Sequence, residues 1–288
     1  MSAVGSSGRC PPLWGLAGAW LVSISLLAFL AVRWIGWTSG ANGLPQAWAL
    51  AVPALALLAA GLLGLARSLV RQLRAGLDVA EWVRLRTIPA RPWLEAAIAE
   101  AGVRRYRLVD DEQPYAFTFG VLRPVVVVSS GLLERLETGS LRAVLAHEAA
   151  HARRRDPGRL MLARALAAGL LRVPPAVRAE GRCHQWVELA ADRAALSRLG
   201  RRPLAAALLA LLQRPESTRP RSSASVVDAA DLIPVRLAQL SSYPEPARLP
   251  RAHGRRERLA TGALVAATAS VAALPCPLFA AVLERIPV

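Results

Sequence analysis

His147, Glu148 and His151, in the stretch AVLAHEAAHARRRDP, have types and spacing that could do chemistry. On an α-helix, positions four apart differ by about 40° around the axis, so both imidazoles share a face. They can then reach one metal ion at about 2.0–2.1 Å. Glu148 lies about 100° round from His147, beside such an ion rather than on it. There its carboxylate can take a proton from an attacking water and hand it to a leaving group. The alternative is a solvated alanine-rich helix that carries two histidines by accident. With 4 histidines in 288 residues, chance predicts on the order of 0.003 such patterns. The flanking Val144, Leu145, Ala146, Ala149, Ala150 and Ala152 are uncharged, as a buried helix requires, which favours the site reading.

Two histidines do not complete a catalytic zinc site, which takes three protein ligands and keeps one position open. CHQWVELAADRAAL supplies the candidates. Glu188 is the expected third ligand. Asp192, one turn later on the same face, could accept a hydrogen bond from the far nitrogen of His147 and fix its orientation. His184 shares the Glu188 face and is the rival ligand, and a solvated acidic face paired with Arg182 or Arg193 is the structural alternative. Arg236, in LIPVRLAQL, is a candidate for stabilising the oxyanion of a tetrahedral intermediate, against a solvated or phosphate-facing arginine. His253, in an arginine-rich linker, reads as solvated. The set is that of an HExxH zinc peptidase, with one Zn2+ as cofactor and Glu148 as base.

The elements that must position these residues lie among apolar spans. Hydrophobic residues make up 54% of the chain and charged ones 19%. Residues 13–32, 48–66 and 259–283 carry no charge, and about 20 residues cross a roughly 30 Å hydrocarbon core. Three spans are expected. Arg67, Arg71 and Arg74 follow the second, and Arg251, Arg255, Arg256 and Arg258 precede the third. The positive-inside rule then puts the intervening segment in the cytoplasm of a multi-pass cell-membrane protein. The net charge is +16, and every basic residue is arginine. The arginines gather beside the apolar segments, which favours a lipid bilayer as partner, and no direct nucleic-acid contact is expected. Cys10, Cys183 and Cys276 form neither a disulfide framework nor a CxxC site.

The expected organisation is residues 1–74 with two membrane helices, 75–258 as a cytoplasmic domain with a flexible loop at 213–225, and 259–288 with a third span and short tail. Within the domain, 91–101 reads as an amphipathic helix. Residues 105–109, 115–119 and PVVVVSS at 124–130 read as strands. Strand 115–119 could pair with an extended substrate, or be ordinary sheet core. Ser140 is the expected N-cap of the histidine helix, and Asp156 that of the next, with Pro157 at its first position. Helices are expected over 157–171, 177–199, 203–212 and 229–240, the last interrupted near Pro234.

HExxH followed by a distal ExxxD resembles the gluzincin metallopeptidases. AFTFGVLRPVVVVSSGLLERL, LAHEAAHARRRDP and CHQWVELAADRAAL together resemble the BlaR/MecR-type membrane zinc metallopeptidases. That resemblance implies a mostly α fold with a small β-sheet, an α+β zincin-like domain inserted between membrane helices. It implies zinc ligands at His147, His151 and Glu188, a base at Glu148, and an endopeptidase acting on a protein substrate, such as a DNA-binding repressor in a signalling role. The β-lactam sensors carry a penicillin-binding domain after their last membrane helix, and this chain shows none, so the expectation is a peptidase core without that receptor role. A quality-control metallopeptidase of the heat-shock type shares every catalytic residue and is the alternative. A non-enzymatic scaffold with a structural zinc is another.

Overall fold

The computed structural model describes residues 10–38, 44–212 and 229–242. Two long helices come first, α1 (Pro11–Thr38) and α2 (Leu44–Arg86). Strand β1 (Thr87–Ile88), helix α3 (Pro92–Ala101), and strands β2 (Tyr106–Val109), β3 (Ala116–Phe119) and β4 (Val125–Ser129) follow. The rest is helical: α4 (Ser130–Arg135), α5 (Thr138–Arg154), α6 (Asp156–Gly169), α7 (Pro174–Leu199), α8 (Arg201–Leu212) and α9 (Ala229–Ser242). The described chain is mostly helical with one small mixed sheet, as expected.

The sheet runs β1-β2-β4-β3, with β2 and β4 parallel and the other pairs antiparallel. Its central strand explains the run of valines. Val126 and Val128 face the cluster with Leu94, Ile98, Leu132 and Leu145. Val127 turns the other way, to Val79 and Val83 of α2 and to Tyr115. A strand covered on both faces reads as a continuous apolar run rather than an alternating one. Each such side chain contributes about 1.5–3 kcal/mol by leaving water. β3 is an edge strand, as β1 is at the other side, and it lies against α5.

α5 is buried nearly all round. Val144, Leu145 and Ala149 face the sheet cluster, while Ala143 and Ala146 meet Ala195, Leu196, Leu204 and Leu240. The alanines keep that second face thin, so that α7 can bring its side chains beside the histidines. A larger residue at Ala146, 2% exposed, would overpack this contact.

Four expectations are corrected. The helix of the second span does not stop near residue 66 but continues to Arg86, because its lower half covers the sheet. α5 starts at Thr138, with Glu137 in the flanking extended position, and Ser140 is buried inside the first turn. Asp156 is not the cap of α6: Arg155, at φ 53°, occupies that position, and Asp156 is the first helical residue. α9 runs unbroken through Pro234, tied to α7 by Gln239, whose Nε2 donates to the Leu189 carbonyl at 2.9 Å. Among the described residues one helix, α2, is long and apolar enough to cross a membrane, and α1 contributes a shorter apolar stretch, Pro11–Leu27. The loop at 213–225, the third span, His253 and Cys276 lie outside the described residues.

Cys10, directly before α1, meets Cys183 within α7, both free and buried, with sulfurs 3.0 Å apart. A mild thiol oxidant is therefore expected to cross-link them, giving a faster-migrating species on a non-reducing gel. Cys183→Ser should abolish that species. Its persistence in that variant would mean α1 does not dock on α7 in this way.

Candidate metal centre

α5 turns His147 and His151 towards α7, where Glu188 faces them. The Nε2 atoms of the two histidines are 3.0 Å apart. Glu188 Oε2 lies 3.6 Å from His147 Nε2, and Glu188 Oε1 lies 3.6 Å from His151 Nε2. Three ligands on arms of about 2.0–2.1 Å at tetrahedral angles stand about 3.3–3.4 Å apart. The observed separations bracket that value, so the donor set fits a zinc ion in both chemistry and spacing. Among the described residues His147, His151 and Glu188 form the group able to hold a metal, and His184, the rival ligand, is not part of it.

Each histidine is held from behind by a carboxylate. His147 Nδ1 lies 2.9 Å from Asp192 Oδ1, and His151 Nδ1 lies 2.9 Å from Asp156 Oδ2. Such partners fix the ring orientation and leave Nε2 free for a metal. Asp192 was expected here. Asp156 was not, because its place before a proline reads as a helix boundary. It is 1% exposed and also pairs with Arg154 at 2.7 Å and Arg159 at 3.0 Å. Those contacts give Arg154 a role: it ties the end of α5 to the start of α6, and it donates to the Val187 carbonyl at 3.2 Å. Arg153 turns outward to the Ala101 carbonyl, at 3.4 Å.

Arg236 comes to the site from α9, but its nitrogens go to carboxylates. Nε and Nη2 donate to Asp192 at 2.7 and 2.6 Å, and Nη1 lies 3.3 Å from Glu188 Oε2. It therefore braces Glu188 and Asp192, rather than standing clear to meet an oxyanion. The electrostatics agree with a cage built for a cation. Burial alone would lower the pKa of His147, but Asp192 and Glu188 outweigh it and raise it to about 9. Burial would raise Glu188, yet His151, His147 and Arg236 hold it well below the usual carboxylate range. Asp192 is likewise lowered, against its burial, chiefly by Arg236 and His147.

Glu148 is 8% exposed and faces β3. Thr118 Oγ1 lies 2.7 Å from Glu148 Oε2, as donor, and 3.1 Å from the Glu148 carbonyl oxygen. Sequence reasoning offered this strand for pairing with an extended substrate but did not single out Thr118, the polar residue of AFTF. Thr118→Val keeps the shape and removes the hydroxyl. A hydrogen bond to a charged group contributes about 1.5–3 kcal/mol, so peptide hydrolysis is expected to slow about tenfold or more, with KM little changed. Wild-type turnover in this variant would remove Thr118 from the site's working parts.

Residues 90–224 match the model of peptidase family M48. Over 73 residues the chain is 44% identical to a protease HtpX homolog of Persephonella marina (strain DSM 14350 / EX-H1), a match covering 23% of this chain and 25% of that protein. The chain thus aligns with about a quarter of that relative's length. The matched model is that of a peptidase family, M48, and not that of the BlaR/MecR type expected from the sequence. The motifs HExxH and ExxxD are shared by gluzincins in general, which is why they could not separate the two.

Proposed function

We propose that this protein is an integral membrane, zinc-dependent endopeptidase that hydrolyses protein substrates at the cytoplasmic face. The observation that carries the reading is the convergence of His147, His151 and Glu188, with Glu148 beside them on the same helix. A zinc ion held by these three residues would supply Lewis acidity towards water and the scissile carbonyl. Glu148, oriented by Thr118, takes the proton from the attacking water and delivers it to the leaving amine. Asp192 and Asp156 hold the two imidazoles in the ligating orientation, and Arg236 positions Glu188 and Asp192. β3, an edge strand beside α5, offers its backbone to an extended substrate. The likeness to a protease HtpX homolog supports a quality-control role over repressor signalling.

The test is cleavage of an unfolded protein such as casein by the purified full chain in detergent. A strong chelator is expected to abolish cleavage, and stoichiometric zinc to restore it. Cleavage that persists after the metal is removed would overturn the proposal.

A further inference from the structure

α6 and α7 form a helical hairpin, and a set of close contacts fixes its height against α1 and α2. Gln72 Nε2 of α2 donates to the Met161 carbonyl at 3.2 Å, near the start of α6. Further on, a β-carbon on Gly64 would lie 2.6 Å from the Ala168 carbonyl oxygen, and one on Gly61 2.7 Å from that of Gly169. Only glycine allows α6 to come this close to α2. As α6 advances, its α2 neighbours fall from residue 72 to residue 61, so the two helices are antiparallel and α6 climbs alongside the apolar span. Trp20 of α1 packs over Gly169 at the top. α7 then descends, and Cys183 is level with Cys10 below the start of α1.

Two rulers give the depth of the top. Gly61 lies six residues before Arg67, which is about 9 Å along a helix. Trp20 lies seven residues past Leu13, where the first apolar run begins, which is about 10 Å. Both put Gly169 and the following turn about 10 Å inside the apolar band, a third of a roughly 30 Å hydrocarbon core.

The side chains of the turn suit that depth. Leu171, Val173 and Val177 are 48%, 45% and 38% exposed. Arg164 and Arg172 converge on Glu180, at 3.1 and 3.6 Å, the kind of pairing that charge near a membrane interior needs, and Arg172 and Arg178 keep exposed side chains long enough to reach towards the headgroups. The reversal is tight, with Leu171 and Arg172 both in the left-handed region at φ 53°.

We infer that the α6–α7 turn is a re-entrant element, inserted among the acyl chains of the cytoplasmic leaflet. The inference rests on the proposed reading of α1 and α2 as membrane-spanning. It also places the metal centre. Glu188 is five residues past Cys183 on α7, about 7.5 Å further from the bilayer. The site then stands about 12 Å below the apolar boundary. A substrate chain leaving the bilayer spans that distance in about four extended residues.

The test uses the full chain with Cys10, Cys183 and Cys276 replaced by serine, in phosphatidylcholine–phosphatidylglycerol liposomes. A nitroxide label is placed at Leu171→Cys or Val173→Cys. Reference labels go at Leu57→Cys, on the exposed face of α2, and at Leu122→Cys, 77% exposed ahead of β4. Collision with oxygen is compared with collision with a water-soluble nickel chelate. The labels at 171 and 173 are expected to follow the one at 57, favouring oxygen several-fold, while the label at 122 favours nickel. Labels at 171 and 173 that follow 122 while 57 remains lipid-like would overturn the re-entrant turn alone. A water-like label at 57 would overturn the membrane reading, and the turn with it.

Discussion

Replacing Glu148 by glutamine is expected to slow peptide hydrolysis by roughly 10²–10⁴-fold, with metal content and thermal stability close to wild type. The amide has the shape of the carboxylate and still accepts the Thr118 hydroxyl, so the contact at 2.7 Å survives. What it loses is basicity. Glu148 sits on the same helix as both histidines but stands outside the ligand group. A change confined to its charge should therefore alter turnover and not the metal. The check is turnover of casein measured beside metal analysis of the same preparation. Undiminished turnover with metal bound would take Glu148 out of the proton path.

The second large effect is expected at Asp192. It is fully buried, faces His147 Nδ1 at 2.9 Å, and accepts two hydrogen bonds from Arg236. Asp192→Ala leaves a buried guanidinium without its main partner and an imidazole without its orienting carboxylate. Removing one member of a buried pair costs about 3–5 kcal/mol. Losing the group behind a ligating histidine lowers metal affinity by about 10–100-fold. The two losses can be separated. Asp192→Ala combined with Arg236→Met removes the orphaned charge, so part of the stability should return while zinc affinity stays low. Full recovery of zinc binding in the double variant would show that Asp192 serves the fold alone and does not orient His147. Denaturant unfolding and competition with a zinc-binding dye read the two quantities independently.

The histidine pair was legible because a ligand set on one helix depends on local periodicity, which the sequence carries openly. Glu188 and Asp192 were legible for the same reason, as i and i+4 on a second helix, once a third ligand was required. Asp156 was not. Its partner, His151, is only five residues away, but they meet because the chain reverses at Arg155 in the left-handed region, a conformation that no residue type there announces. Thr118 was missed because its contact with Glu148 depends on the packing of an edge strand against α5, a relation set by the fold rather than by spacing. Arg236 was offered for an oxyanion, and its contacts with Glu188 and Asp192 could be assigned only once those carboxylates were seen to face it. The hidden feature of largest extent is α2. Its apolar half marks a span, while its lower half looks like an ordinary amphipathic continuation until Val79 and Val83 are found against the sheet.

Everything proposed for the site depends on a zinc ion held by two histidines and one carboxylate, with one position open. X-ray absorption at the zinc edge of the purified full-length protein tests it most directly. One zinc per chain is expected, with four nitrogen or oxygen neighbours at about 2.0–2.1 Å, two of them imidazoles, and no sulfur. In Glu188→Ala that centre should lose a protein oxygen and bind zinc more weakly. A sulfur neighbour at about 2.3 Å, three imidazoles, or a centre unaltered by Glu188→Ala would contradict it.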